Sequence, residues 1–276
     1  MILAVDVGNS NTTVGLFNGT GELLFRALLE TSRSKTRDQC AIELLGVFQL
    51  YGADACTVDG AILSSVVPPL TTIFTDAIAR LTGIPPMVVG PGIRTGLNIK
   101  AEIHNQLGSD IVASSVAAIA KYPSPIVMVD MGTATSLSLI VGSVYEGCII
   151  MPGLALALDA LSERAAALPP ISIETASPVG LMGHTTEEAM RSGVLYGHAS
   201  MVDGMLERIE ESIGQSVTTV ATGGNAPRIL RYCKRPIQYD ADLIMTGLYL
   251  LYQKNAKKYR KDRPRRFLYS TAVCRG

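Results

Sequence analysis

Two carboxylates in this sequence occupy the same place in a repeated local pattern. Asp6 ends an apolar run and is followed by a glycine turn and a cluster of small amide and hydroxyl residues, and Asp130 repeats this arrangement about half a chain later. The glycine lets backbone N–H groups approach an anion, and Asn11, Thr12 and Thr13 add side-chain donors. A carboxylate repels phosphate, so we expect Asp6 to act through Mg²⁺ or a water. The pattern predicts a site for nucleotide phosphates.

Two further segments extend this prediction. Thr133, in the second copy, is expected to close on the nucleotide from the other half of the chain. The segment 222–225, Thr-Gly-Gly-Asn, follows the apolar stretch 217–220 and is expected to present bare backbone to a ribose or a flat ring. One such turn alone is usually an ordinary turn, but two in register with a late Thr-Gly-Gly favour nucleotide binding.

The elements that must position these residues alternate between strand and helix patterns. Short apolar runs at 2–7 and 126–131 predict strands, and apolar residues at three-to-four spacing in 154–168 and 202–213 predict amphipathic helices. Alternation of this kind indicates α/β layers, and the repeat indicates a duplicated α/β domain. We therefore predict a first domain at 1–115, a second at 116–253 and a basic tail at 254–276.

Charge and hydropathy exclude several classes of protein. The 276 residues carry no net charge, but the tail holds nine of the 24 basic residues and one acid, Asp262. The rest is therefore acidic, so nucleic-acid binding is not expected, and the tail is interpreted as a solvated arm. No apolar run reaches the roughly 20 residues of a membrane helix, and the N-terminus lacks a basic signal-peptide region. We expect a cytoplasmic protein that does not contact membranes.

Several segments together resemble one family of kinases. Within the acetate kinase/sugar kinase/Hsp70/actin superfamily, the chain is similar to type III pantothenate kinases from residue 1 to about residue 253. The segments that carry this similarity are 6–12, 64–70, 90–99, 130–135, 152–153, 163–169, 188–193 and 222–224. The resemblance implies an α/β fold of two duplicated actin-like (ribonuclease H-like) domains around an ATP cleft.

The same resemblance implies an activity and a set of ligands. These kinases transfer the γ-phosphoryl group of ATP to pantothenate, giving 4′-phosphopantothenate in the first step of coenzyme A biosynthesis. They require Mg²⁺ and a monovalent cation, K⁺ or NH₄⁺, and they are homodimers. The residues implied to bind ATP are Asp6, Val7, Gly8, Asn9, Ser10, Asn11, Thr12, Thr13 and Thr133. Those implied to bind the acceptor are Gly108, Ser109, Asp110 and Thr186, and Asp130 is implied to hold the monovalent cation.

Asp110 matches the catalytic base in the family's Gly-Ala-Asp-Arg motif. Phosphoryl transfer depends on positioning and charge stabilisation, so a base needs only to accept a proton from a well-placed hydroxyl. Asp110 stands where a helix is expected to begin, and we expect the helix N-terminus to favour its ionised form. An ordinary helix cap explains the same residue, and Thr185 or Thr186 with Glu188 is likewise typical of a capping box.

The sequence departs from the family pattern near the acceptor. The arginine after the base is replaced by Ile111, a typical tyrosine by Ala101, and the usual Asn-Pro by Ile103 and His104. Loss of a charged pocket partner typically costs about 2–5 kcal/mol when nothing replaces it. Two alternatives therefore stay open: a catalytically weak nucleotide-binding paralogue that acts through partners, and a kinase for a different hydroxyl acceptor.

Overall fold

The computed structural model describes residues 1–100, 107–173 and 179–261, with side chains described as far as residue 259. These residues form two compact units. The first unit comprises 1–97, 107–117 and 243–261 of the described residues, and the second comprises 98–100, 118–173 and 179–242. Most of the basic tail, together with Ala101, Ile103 and His104, lies outside the described residues.

The described part of the first unit contains a five-stranded sheet in the order β3-β2-β1-β4-β5, in which β1 is antiparallel to β2 and parallel to β4. Both faces carry helices, and every residue of β1 is therefore buried. The strands are β1 (Ile2–Val7), β2 (Asn11–Phe17), β3 (Leu23–Glu30), β4 (Gly60–Ser65) and β5 (Met87–Val88). The helices are α1 (Arg37–Leu50), α2 (Pro68–Thr82), the start of α3 (Ser109–Lys121) and α7 (Leu243–Lys261).

Local signals start and stop these helices. Thr36 and Gln39 form a reciprocal capping box at the start of α1. α2 begins at Pro68, where a missing N–H costs nothing, and it ends at Gly83 in the left-handed conformation (φ +70°). α1 and α2 cover one face of the sheet, in a core with Leu3, Val5 and other buried side chains.

The described part of the second unit contains a six-stranded sheet in the order β11-β10-β7-β8-β9-β6. The strands are β6 (Asn98–Ile99), β7 (Ile126–Met131), β8 (Ala134–Val141), β9 (Val144–Pro152), β10 (Thr218–Thr222) and β11 (Gln238–Tyr239). The helices are α4 (Leu154–Arg164), α5 (Thr186–Ile213) and α6 (Ala226–Leu230). α5 packs Leu195, Val202 and Leu206 into a core with Val127 and Val129.

The α/β class predicted from the sequence is confirmed, and the repeat is visible in the strand register. In the first sheet Asp6 pairs with Thr13 on the antiparallel side and with Ser64 on the parallel side. In the second sheet Asp130 pairs with Ser136 and Thr222 in the same two directions. Each acidic residue is therefore the second-last residue of a central strand that has one antiparallel and one parallel neighbour.

The compact units divide the chain differently from the predicted domain boundaries at the C-terminal helix. α7 belongs to the first unit, because Leu248, Leu251 and Tyr252 pack in one buried cluster with Ile2 and Ile62. The boundary near residue 115 stays a prediction, since α3 itself runs through it. Among the described helices, none has the combination of length and hydropathy that crossing a bilayer requires.

Candidate active site

The first predicted phosphate loop is a tight turn between β1 and β2. The N–H of Gly8 donates to the carbonyl of Asn11 at 3.0 Å, and a Cβ added at Gly8 would lie 2.9 Å from that same oxygen. Glycine is therefore required for the turn to close this tightly. The side chains of Asn9, Ser10 and Asn11 are exposed at its tip. The structure thus presents three of the predicted ATP-binding residues to solvent.

Two other residues of this loop point into the protein. Val7 is fully buried, and the Thr12 hydroxyl lies 2.8 Å from the hydroxyl of Thr31 with only 1% of Thr12 exposed. Thr31 also donates its N–H to the carbonyl of Ser10 at 3.0 Å. The Thr12 hydroxyl is hydrogen-bonded inside the unit. Only the backbone of Thr12 therefore remains for the predicted contact with ATP.

Three polar residues share one face at the carboxyl end of the first sheet. Asp6 is flanked by Thr13 and Ser64, its register partners on the neighbouring strands. Paired residues on adjacent strands project to the same side of a sheet. Asp6 is 8% exposed and Ser64 is fully buried. This polar face is covered at one point by the beginning of α3, which carries the predicted base.

α3 is attached to β4 through Ser109. The Ser109 hydroxyl lies 2.9 Å from the Ser64 hydroxyl, accepts the N–H of Ser65 at 3.1 Å and donates to the carbonyl of Ser65 at 3.2 Å. The hydroxyl of Ser109 is therefore occupied within the unit. If Ser109 contacts the acceptor, as the resemblance predicts, it does so through its backbone N–H in the first turn of the helix.

Asp110 is held by the helix that it begins. Its Oδ1 accepts the N–H of Ile111 at 2.8 Å, and a Cβ added at Gly108 would stand only 2.2 Å from that oxygen. Burial raises the pKa of the Asp110 carboxyl, and the N–H groups of Ile111 and Asp110 oppose this shift only in part. The N–H groups of the helix N-terminus favour the ionised form, as expected, but desolvation outweighs these hydrogen bonds and the net shift of the pKa is upward. A raised pKa makes the carboxylate a better proton acceptor.

The second predicted loop has the same form with a tighter turn. The N–H of Gly132 donates to the carbonyl of Ala134 at 3.1 Å, one residue sooner than the corresponding bond from Gly8. Thr133 lies at the tip of the turn and is exposed, as its predicted contact with ATP requires.

The Thr-Gly-Gly-Asn segment surrounds this second turn. Asn225 donates its backbone N–H to the carbonyl of Met131 at 3.1 Å and its side-chain amide to the carbonyl of Gly132 at 3.3 Å. On another side, Gly153 donates its N–H to the carbonyl of Thr133 at 3.2 Å, and a Cβ added there would overlap that oxygen at 2.2 Å. The turn that carries Thr133 is therefore fixed by two segments distant in sequence.

The atoms around Asp130 suit a hard cation, which prefers oxygen ligands. Asp130 Oδ1 and the carbonyl oxygen of Met131 both lie 2.7 Å from the place that a Cβ would take at Gly223. The carbonyl of Met131 has a second lone pair beyond the hydrogen bond that it accepts from Asn225. Within the described ranges, no group of three or more His, Cys, Asp or Glu residues is arranged to hold a metal.

The start of α5 resolves a question that the sequence left open. Thr185 is the N-cap, because its hydroxyl accepts the N–H of Glu188 at 3.2 Å, and the carboxylate of Glu188 accepts the N–H of His184 at 2.8 Å. Thr186 is the first helical residue and its side chain is exposed. Since Thr185 performs the capping, the hydroxyl of Thr186 is not needed for it.

Sequence reasoning missed two contacts between distant residues in the second unit. His198, to which no role was assigned, lies 2.8 Å from the hydroxyl of Thr135 and ties α5 to β8. Asp240 accepts hydrogen bonds from Lys121 and from the hydroxyl of Tyr122, which raises the pKa of Tyr122 to about 12 together with burial, the larger cause. Each contact joins residues at least 63 positions apart, so no local pattern announces it.

Comparison with solved structures shows the fold. The activator of the 2-hydroxyisocaproyl-CoA dehydratase from Clostridium difficile aligns with a TM-score of 0.56 at 12% identity, covering 96% of this chain and 98% of that one. The ROK hexokinase from Thermus thermophilus aligns with a TM-score of 0.50 at 14% identity, covering 93% and 99%. Proteins of this group are actin-like kinases and ATPases, so the chain has the two-domain actin-like fold that its sequence suggested.

Comparison of sequences shows the family. The profile of the type III pantothenate kinases matches residues 2–208. A type III pantothenate kinase from Exiguobacterium sp. is 39% identical over 258 residues, which are 93% of this chain and 100% of the relative. One from Geobacillus thermodenitrificans is 39% identical over 94% of this chain and 99% of its own length. The protein described here is a member of the type III pantothenate kinase family.

Proposed function

We propose that this protein transfers the γ-phosphoryl group of ATP to the hydroxyl of pantothenate, giving 4′-phosphopantothenate at the start of coenzyme A biosynthesis. The observation that carries the proposal is 39% identity to a type III pantothenate kinase across 93% of the chain. A second support is that Asp110 occupies the position of the family's catalytic base and that burial raises its pKa.

Asp110 is the proposed general base. Its carboxylate is fixed at Oδ1 by the N–H of Ile111, which leaves Oδ2 to accept the proton of the acceptor hydroxyl. Gly108 leaves room beside the carboxylate, because any side chain there would overlap it. The remaining task of the site is to orient ATP and acceptor in line, which is the larger part of catalysis in phosphoryl transfer.

The two turns are the proposed ATP-binding elements. In the first unit, Gly8 to Asn11 offer backbone N–H groups and exposed polar side chains to phosphate, and Asp6 would hold Mg²⁺ directly or through a water. In the second unit, Thr133 is the proposed phosphate contact. Asp130 would hold K⁺ or NH₄⁺ with carbonyl oxygens of its turn. Both cations supply positive charge that stabilises the transferring phosphoryl group.

The acceptor side is where this protein differs from the family pattern. Thr186 is exposed at the first turn of α5 and is the proposed pantothenate contact in the second unit. Ile111 is partly buried and carries no charge, so the carboxylate of pantothenate must find another partner. The expected consequence is a KM for pantothenate higher than in an enzyme with arginine at this position.

We also propose a cytoplasmic homodimer. The family resemblance is the main support, since family members assemble in pairs. The structure adds that Leu181 and Met182, in the segment that leads to α5, are 65% and 77% exposed. Neighbouring exposed apolar side chains of this size are typical of an interface. Sedimentation of the purified protein at micromolar concentration tests this assembly directly.

The function is tested by phosphorylation of pantothenate with ATP and Mg²⁺, with and without K⁺ or NH₄⁺. Turnover that requires the monovalent cation supports the proposal. Because Ile111 alters the acceptor side, the same assay is run on a panel of other small hydroxyl acceptors. A protein that binds ATP but prefers another acceptor, or phosphorylates none, overturns the assignment of pantothenate as substrate.

A further inference from the structure

Ser109 directly precedes the proposed base, Asp110. Its hydroxyl makes three contacts with the end of β4. The partners are the Ser64 hydroxyl at 2.9 Å, the Ser65 N–H at 3.1 Å and the Ser65 carbonyl at 3.2 Å. Ser64 is fully buried. A serine hydroxyl can make no more than one donated and two accepted bonds, so this one is saturated.

The direction of each hydrogen bond follows from that count. The backbone N–H of Ser65 can only donate and its carbonyl can only accept, so the single proton of Ser109 goes to that carbonyl. Ser64 must then donate its own proton to Ser109. The network has one arrangement that satisfies every group, and such a network holds its members in one geometry.

This network connects the helix of the base to the strand beside Asp6. Ser64 pairs with Asp6 in the parallel register of β4 and β1, and Asp110 directly follows Ser109 in α3. Gly108 has no side chain with which to cap the helix, so the first turn of α3 is fixed to the sheet through Ser109. A small rotation of that turn would move the carboxylate of Asp110 away from the proton it must accept.

We propose that Ser64 and Ser109 are positioning residues, which hold the first turn of α3 on β4 and thereby set the place of the Asp110 carboxylate. Neither hydroxyl touches the reacting atoms. This inference rests on the proposed function for its catalytic part, whereas its structural part concerns the first turn of α3 and can be measured in a protein without substrate.

The experiment compares four variants with the wild type: Ser109→Ala, Ser64→Ala, the double variant, and Ser115→Ala as the matched control. Ser115 lies on the same helix and is fully buried, but its hydroxyl has no hydrogen-bond partner in the described structure. Its removal deletes the same atom from the same helix without breaking a bond. Ser109→Thr, which keeps a hydroxyl at the site, serves as the rescue variant.

Two quantities are measured on each protein. The first is amide hydrogen exchange in the first turn of α3, where the N–H of Ile111 is bonded to Asp110. The second is the pair kcat and KM for pantothenate phosphorylation. We expect Ser109→Ala and Ser64→Ala to speed exchange at Ile111 and to lower kcat by tenfold or more, on the order of the cost of one misplaced catalytic group, with KM for ATP unchanged.

The double variant sharpens the test. Because both hydroxyls serve one network, its loss of kcat should be close to that of Ser109→Ala rather than the product of the two single losses. Ser109→Thr should recover most of the lost kcat, and Ser115→Ala should match the wild type in both measurements.

Three outcomes would overturn the inference. Exchange at Ile111 that stays at the wild-type rate in Ser109→Ala shows that the hydroxyl does not hold the turn. Faster exchange with an unchanged kcat shows that the hydroxyl holds the turn but does not position Asp110 for catalysis. Independent losses in the double variant show that the two serines do not act together. If the wild type fails to phosphorylate pantothenate, the proposed function fails, and the exchange measurement still decides whether Ser109 holds the turn.

Discussion

The carboxylate of Asp130 lies directly against the backbone of Gly223, so that a Cβ added at Gly223 would stand 2.7 Å from Asp130 Oδ1. The same Cβ would be 2.7 Å from the carbonyl oxygen of Met131. Gly223 also has a φ of +91°, which side chains rarely adopt. The backbone of the Thr-Gly-Gly segment therefore packs against Asp130, the proposed cation ligand. The sequence had suggested that this backbone would face a ribose or a flat ring.

Replacing this glycine should damage the cation site. In Gly223→Ala we expect a loss of about 1–3 kcal/mol in the free energy of unfolding, because an alanine is strained in this backbone conformation and overlaps Asp130. The concentration of K⁺ or NH₄⁺ that gives half-maximal activity should rise, since the carboxylate must move. Denaturant unfolding and a cation titration of turnover measure the two effects.

The neighbouring glycine provides the control. A Cβ added at Gly224 meets nothing within 4 Å, so Gly224→Ala should unfold at the same denaturant concentration as the wild type. A Gly223→Ala variant as stable as Gly224→Ala, with an unaltered cation requirement, would show that the close approach to Asp130 has no consequence.

Asp110→Asn should separate catalysis from stability. The asparagine oxygen can still accept the N–H of Ile111, but the side chain can no longer accept a proton at neutral pH. We expect kcat to fall by about 10²–10⁴-fold, with the dissociation constant of ATP unchanged. Thermal unfolding at neutral pH should occur at a higher temperature than in the wild type, because a carboxylate whose pKa is raised by burial opposes folding when it is ionised. Undiminished turnover would remove Asp110 from the mechanism.

The pH dependence of turnover should report the same carboxyl. The base must be ionised, so kcat falls as the pH drops through the folded-state pKa of Asp110. Burial raises that pKa above the ordinary value of 3.8, so the midpoint of the acid limb should lie above pH 3.8. The residual activity of Asp110→Asn should lack this limb. A wild-type profile with its midpoint at or below pH 3.8 would contradict the burial of the carboxylate.

The fold could be predicted from the sequence because its signals are local. The apolar runs at 2–7 and 126–131 became the central strands of the two sheets, and the periodic stretch 202–213 became the last part of α5. The place of α7 could not be predicted in this way. Its amphipathic pattern shows that one side is buried, but only the tertiary structure shows that this side packs on β1 and β4.

In the candidate site too, the features with a local sequence pattern could be predicted, and those that depend on distant partners could not. The two Asp-Gly turns were visible in the sequence, because a glycine after a strand and a carboxylate is a local pattern. The hydrogen bonds of Ser109 to β4, the position of Gly153 against Thr133 and the burial of Thr12 were not visible, since each depends on a partner from another strand. The direction of the pKa shift of Asp110 was missed for this reason: helix N-termini are local, whereas desolvation depends on the whole surrounding fold.

His198 should make stability depend on pH in the second unit. It is 4% exposed, and burial lowers the pKa of its imidazole below the ordinary value of 6.5. The unfolded chain therefore takes up a proton at a pH where the folded protein does not. The contribution of neutral, buried His198 to the free energy of unfolding is fully present above pH 6.5. As the pH falls from 6.5 towards the folded-state pKa, the free energy of unfolding decreases by at most about 1.4 kcal/mol per pH unit. Denaturant unfolding at a series of pH values measures the slope. His198→Gln should flatten it, and an unchanged slope in His198→Gln would assign the pH dependence to other groups.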